Sequence, residues 1–285
     1  MRIAVCLKHV PDVTTVEVDP FTGAIDKSRL LFVTNPADTV ALELALQLCG
    51  SPGRVLGLTV GPSPTEAVLR AALAVGATRV LRLWDEQLDA TAPPLTARLI
   101  AAALRVEGMP NMVLCGTRSS DMGSGQVPAL LGEFLGWPVI TDVTQIEVEP
   151  HLARVQRRLD RGAREVLEVS LPAVLAVEPG LARLRHASFP GLMRAQRAAI
   201  PTRGLNELGL NIDELAFALP VHQAFTPPRP RSRPIFTPDT SRPPHERIAA
   251  IVQAGVTRKS GKVLEGPPQP MAEAIVDFLR EQGFV

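Results

Sequence analysis

The chain has 285 residues, 46% of them apolar, and a formal charge of +1. That supports one large core, or a domain of roughly 200 residues with appendages, and gives no global field to draw nucleic acid or an acidic membrane. Aromatic residues are 4% with no Tyr, against a base-stacking surface; Cys6, Cys49 and Cys115 are scattered in apolar runs, suggesting buried thiols of a reducing compartment and no metal. No leader is expected before the first strand, and no apolar run reaches ~18 residues. The expected location is the cytoplasm, without membrane insertion.

In chain order, Arg2 to Lys8 reads as a buried strand, and Val13 to Leu31 as a hairpin-like excursion. Asn35-Pro36 opens a helix whose Ala37, Val40, Ala41, Leu44, Ala45 and Leu48 share a face, with Gly50 as its stop. Strand Arg54–Val60, helix Glu66–Val75 with Gly76 as its C-cap, strand Arg79–Trp84 and helix Pro94–Val106 follow. Alternation at these lengths predicts an α/β fold: a mostly parallel, doubly wound, Rossmann-like sheet covered on both faces. Ligands of such sheets sit at the carboxyl ends of the strands.

The segment Asn111 to Pro138 carries the strongest site signal. A short apolar strand, Met112 to Cys115, leads into a loop rich in Gly, Ser and Asp, then into a helical run from Val127 to Leu135. Strand, small-residue loop and helix is the arrangement in which backbone N–H groups face an anion. An ordinary βα connection with an N-cap fits the same spacing. Neither a Gly-Lys-Ser/Thr phosphate loop nor GxGxxG is present.

From Val139 the rhythm changes. Val139–Val148, Leu152–Leu159, Arg164–Val169 and Ala173–Glu178 read as four strands, expected to add antiparallel pairing to the sheet. Between Gly180 and Arg203, arginines surround Phe189, Leu192 and Met193, which fit no core periodicity and suggest a contact surface; a loop packed on its own body fits as well. Ala224 to Pro244 is proline-rich and therefore extended. Two helical patterns follow, His245–Gln253 and Met271–Glu281. The organisation expected is a nucleotide-binding body over 1–200 and a Pro-rich arm over 201–285.

Together these residues resemble the electron transfer flavoprotein β-subunit family, from Met1 to about Gln196 and again from Ser260 to Gly283. The markers are RIAVCLKHVPD, the Asn35-Pro36 helix start with Asp38, GPSPTEAVLRAALAVGATR, DMGSGQ, and the hairpin Val155 to Leu167 closed by Pro172-Ala173-Val174-Leu175-Ala176. Arg161 departs from the family pattern, where Gly or an acid is usual. The resemblance implies a subunit that binds AMP or a second FAD, paired with an α subunit that holds the electron-carrying FAD. A dehydrogenase (or NADH) would supply electrons and a quinone oxidoreductase accept them.

By the same resemblance, Cys6, Asn35, Asp38, Val60 and the stretch Asp121, Met122, Gly123, Ser124, Gly125, Gln126 and Val127 line the nucleotide cleft. Asn35 and Asp38 would hold the adenine or ribose edge, and the backbone from Gly123 to Val127 the phosphate. As local features alone, Asn35 equally fits a helix N-cap, Asp38 a first-turn carboxylate and Asp121 a cap of the next helix. DMGSGQ keeps Asp121, Ser124, Gly125 and Gln126 of the electron-bifurcating type but replaces its second acid with Gly123. Phe189, Leu192, Met193 and Arg194 correspond to the family's partner-recognition loop, with Arg185 and Arg197 steering acidic patches. The five histidines are scattered and no catalytic grouping emerges. An adenine-nucleotide-binding regulatory or hydrolase-type protein on this fold is the alternative.

Overall fold

The computed structural model describes residues 1–19, 22–50, 54–88, 92–213, 215, 241, 243–254 and 266–281. It divides into two units, Met1–Pro227 and Pro228–Val285.

The first unit is an α/β body. Its elements are β1 (Arg2–Cys6), β2 (His9–Pro11), β3 (Phe32–Thr34), α1 (Pro36–Cys49), β4 (Arg54–Val60), α2 (Glu66–Val75), β5 (Arg79–Leu83), α3 (Pro93–Glu107) and β6 (Met112–Gly116). Then come α4 (Gln126–Leu135), β7 (Val139–Val148), β8 (Leu152–Arg158), β9 (Arg164–Ser170), β10 (Ala173–Val177), α5 (Phe189–Arg197) and β11 (Thr202–Arg203). Among the described residues, nine strands form one sheet in the order β11-β5-β4-β1-β6-β10-β7-β8-β9, and β2 pairs with β3 in a separate ribbon.

From β11 to β7 every pairing is parallel, so both faces are covered and the central strands read as continuous apolar runs. β6 (MVLCG) and β10 (AVLAV) are buried along their whole length. One core packs α1 and α2 on the first face through Val40, Leu42, Val68 and Leu69. The other packs α3 and α4 on the second face through Leu95, Leu99, Ile100 and Leu131. The helices stop where glycine releases the chain: Gly76 is left-handed and returns its N–H to the carbonyls of Ala72 and Leu73.

Three expectations change. Within the large sheet, among the described residues, only β7-β8-β9 are antiparallel; Ala173–Val177 instead enters the parallel core between β6 and β7. Its register against β7 shifts at Thr141-Asp142, where Asp142 adopts a left-handed φ of 56°. Residues 201–213 and 215, expected to begin the arm, are part of the body. Thr202 and Arg203 extend the sheet edge beside β5, and Leu205, Leu208 and Leu215 enter the second core. The segment expected to be a recognition loop is a helix, α5: Ser188 caps it by accepting from the Gly191 N–H at 3.2 Å.

In the second unit, α6 (Pro244–Ala254) and α7 (Pro268–Glu281) match the two helical patterns. α7 buries no residue and leaves Ile275, Val276 and Phe278 exposed. Most of the proline-rich segment 224–244 lies outside the described residues. Among those described, no helix is long and apolar enough to cross a membrane.

Candidate functional site: a cavity at the carboxyl ends of the central strands

The chain leaves β1 toward β4 on one side and returns to β6 on the other, so the strand order reverses at β1. At that switch point, beyond the carboxyl ends of β4, β1 and β6, lies a cavity of about 210 Å3. The N-termini of α1, α3 and α4 border it. The structure brings Cys6, Asn35, Asp38, Val60, Met122, Ser124, Gly125, Gln126 and Val127 to its walls; Asp121 and Gly123 do not line it.

Asn35 and Asp38 reach the cavity, but their polar atoms are spent on backbone. Asn35 makes no cap bond to its own helix. Its Nδ2 donates to the Arg118 carbonyl (3.1 Å), and its Oδ1 accepts from the Ser120 N–H (3.1 Å). Asp38, also buried, accepts from the Lys8 N–H at 2.8 Å and the Gly116 N–H at 3.0 Å. Start of α1, end of β1 and the loop after β6 are thereby one hydrogen-bonded unit. Gly116 makes the approach feasible, since a Cβ there would collide with Asp38 Oδ1 and lie 2.6 Å from Ala37 Cβ. Burial pushes the Asp38 carboxyl up to about 6, against the opposing pull of those two N–H donors, Asn35 and the Lys8 charge.

The loop between β6 and α4 is further fixed from inside and outside. The Thr117 N–H donates to the Val177 carbonyl at 3.0 Å and the Gly123 N–H to the Ser119 carbonyl at 3.0 Å. Thr117 Oγ1 donates to Asp142 Oδ1 at 3.0 Å. Gly125, left-handed at φ 62°, turns the chain into α4, where a Cβ would press on the Thr117 carbonyl at 3.1 Å. Asp121 turns to Lys8, whose Nζ lies 2.7 Å from its carboxylate and 3.3 Å from Ser119 Oγ. Partial burial would raise Asp121, yet bonds from Lys8, Ser119 and the Met122 backbone hold it below the usual carboxylate range.

The wall combines apolar and cationic side chains. Leu7, Leu58, Val60, Ile100 and Val127 offer apolar contact to a planar base, while Lys8 and Arg118 place two cations at the same cavity. Thr59, also on the wall, has a buried hydroxyl with no hydrogen-bond partner among the described residues. A buried polar atom left without a partner is costly, and a bound ligand or water supplies one. Cys6 and Cys115 lie side by side on β1 and β6; the bond from Cys6 and burial raise the Cys115 thiol well above its ordinary value. Among the described residues no group of His, Cys, Asp or Glu could hold a metal. Thr59 and the start of α3 (Pro93, Thr96, Ile100) were not foreseen from sequence, and Lys8 and Arg118 were not singled out as site residues. The one local signal was a lysine closing the first strand pattern.

A second feature is the outer surface of α5. Phe189 is 75% exposed and Leu192 50%; Met193 is half-buried and Arg194 exposed. The helix beneath is firmly held. Gly191 sits so close to α2 that a Cβ would lie 2.5 Å from the Ala74 carbonyl. Arg70 Nη1 donates to the carbonyls of Ala195, Gln196 and Ala198, each at 2.9 Å, and so caps the helix C-terminus. Arg185 does not project toward a partner as expected: it forms a two-pronged pair with buried Glu43, at 3.0 and 2.9 Å, and also donates its N–H there.

The electron transfer flavoprotein domain model matches residues 22–208. The caffeyl-CoA reductase-Etf complex subunit CarD of Acetobacterium woodii is 33% identical over 233 residues, 80% of this chain and 88% of that protein. The electron transfer flavoprotein subunit beta of Mycobacterium leprae is 33% identical over 76% of this chain and 84% of its own length. That of Bacillus subtilis is 27% identical across the full length of both. A family model spanning most of the α/β body, and relatives similar along nearly their whole length, establish that this chain belongs to the electron transfer flavoprotein family.

Proposed function

We propose that the chain is the β subunit of a heterodimeric electron transfer flavoprotein and that its cavity holds AMP. The α subunit would carry the FAD that passes electrons between a dehydrogenase and a quinone-linked acceptor. When bound there, that flavin supplies the redox chemistry. The tasks left to this chain are to seat a nucleotide, grip its partner and present a docking face. The observation that carries the reading is the meeting of an apolar slot, an unpartnered Thr59 hydroxyl and two cations at one switch-point cavity.

Size favours the mononucleotide. A cavity of about 210 Å3 is small for an FAD, whose two ring systems and pyrophosphate make it more than twice the size of AMP. It accommodates a base and sugar with the phosphate toward the loop. A second FAD, receiving hydride from NADH, is the other reading; DMGSGQ retains part of that type's loop. Its flavin would have to extend beyond the cavity. α5 would serve as the dehydrogenase dock, with Phe189 as anchor and Leu192, Met193 and Arg194 around it. The exposed apolar face of α7 would be covered by the α subunit.

Mass spectrometry of the nucleotides released from the co-expressed heterodimer tests this. One AMP and one FAD per heterodimer is the expected result. Two FAD supports the bifurcating reading, and release of no adenine nucleotide beyond the α-subunit FAD refutes both.

A further inference from the structure

The ion pair between Lys8 and Asp121 stands at an unusual place: the lysine lines the cavity and the aspartate does not. We propose that Lys8 is the cavity's phosphate-recognising cation and that Asp121 competes with the nucleotide phosphate for it. The inference rests on the nucleotide reading and assigns the part of the site that distinguishes a nucleotide from a nucleoside.

The backbone of Lys8 is fixed at both ends of the residue. Its N–H donates to Asp38 Oδ2 at 2.8 Å and its carbonyl accepts from the Asn35 N–H at 2.9 Å. The side chain, by contrast, is 46% exposed and hangs on a flexible four-carbon stem. Its ammonium can therefore change partner without moving the wall it grows from. Part of the loop's own donor set is already committed. The N–H groups of Thr117, Ser120, Met122 and Gly123 already bond to Val177, Asn35, Asp121 and Ser119. Beyond these, the wall is formed by Arg118 and Ser119, by the turn into α4 from Ser124 to Val127, and by Lys8. Arg118 is farther from its own acid, Asp142, at 3.9 Å, and its side chain is 60% exposed. Lys8 is the cation already ordered beside the loop.

Charge decides the direction of the exchange. A carboxylate carries one negative charge; a phosphate monoester carries ~1.5 to 2 at neutral pH. At equal distance the phosphate attracts the ammonium more strongly, and its three oxygens accept hydrogen bonds from Lys8 and the turn together. Asp121 is left with Ser119 and its own Met122 N–H, bonded at 2.6 Å, so releasing Lys8 does not strand it. Asp121 thus lowers affinity for the phosphate while holding the loop shaped for it. Loss of the lysine and loss of the aspartate should act in opposite directions on AMP.

Calorimetry on the nucleotide-stripped heterodimer, titrated with AMP and with adenosine, tests the exchange. Lys8→Met is expected to weaken AMP about tenfold or more and leave adenosine unchanged, with Lys8→Arg recovering part of the loss. Asp121→Asn is expected to tighten AMP roughly threefold, again without effect on adenosine. Raising the salt concentration should weaken AMP binding by the wild-type protein, a readout independent of folding defects in the variants. The inference is overturned if Lys8→Met weakens both ligands equally, if Asp121→Asn weakens AMP, or if wild-type protein binds AMP no tighter than adenosine. The last outcome leaves the nucleoside pocket standing. Protein that binds neither ligand removes the nucleotide reading and this inference with it.

Discussion

Asp38 is a carboxylate buried at the joint of α1, β1 and β6, and replacing it with asparagine isolates one term of the protein's pH dependence. Its pKa rises from 3.8 unfolded to about 6 folded, because burial outweighs the hydrogen bonds to the charged form. A raised folded value means that the native state binds the proton more tightly than the unfolded chain. The group's contribution is therefore fully present below pH 3.8 and is lost as pH rises through about 6. At ~1.4 kcal/mol per pH unit, the loss amounts to about 3 kcal/mol. Asp38→Asn cannot titrate, so it escapes this loss. It also presents an NH2 to either the Lys8 or the Gly116 N–H, at a pH-independent cost of roughly 1–3 kcal/mol. Urea titrations of both proteins from pH 4 to 7.5, at equal concentration, should show the variant clearly weaker at the acid end. It should gain on wild type by up to about 3 kcal/mol by pH 7 and then run parallel. A difference that is flat with pH, or wild type gaining as pH rises, would refute the reasoning. Either result would mean that the backbone donors, not burial, set the titration.

Other substitutions probe the same joint and the docking face. Gly116→Ala forces a methyl into Asp38 and Ala37 and should cost roughly 2–3 kcal/mol in urea denaturation, with nucleotide affinity falling in parallel. Arg70→Met removes three bonds to the end of α5; amide hydrogen exchange across 189–198 should accelerate while β1 and β6 stay protected. Phe189→Ala should leave stability within about 0.5 kcal/mol, because the ring is exposed. Dehydrogenase-dependent reduction of the heterodimer should nonetheless drop about tenfold, as removal of an interface anchor does.

Local pattern made the alternating half of the fold readable: α1, α2 and α3 and the strands between them lie within a residue or two of their expected limits. What failed was everything set by distant partners. AVLAV announces a buried strand, but nothing in five apolar residues says whether its neighbours run with it or against it. α5 begins Phe-Pro-Gly and looks irregular. It is helical because Ser188 caps one end and Arg70, more than a hundred residues earlier, satisfies the other. At the site, sequence placed Asn35 and Asp38 at a helix start beside the cavity. It could not show that their polar atoms would be taken by the backbone of Lys8, Gly116, Arg118 and Ser120. Asp121 was expected on the cavity wall by its place in the loop; it faces Lys8 instead, a meeting that depends on two segments more than a hundred residues apart.

The seat of β10 has a consequence for how the protein is made. On the ribosome, β6 emerges with one flank bare, since the strand that fills it arrives some sixty residues later. Until Val177 is out of the exit tunnel, Thr117 lacks the carbonyl that anchors it, and the small-residue turn beyond has no rear support. Nascent chains arrested before that point should fail to retain an adenine nucleotide, and those released shortly after it should begin to do so.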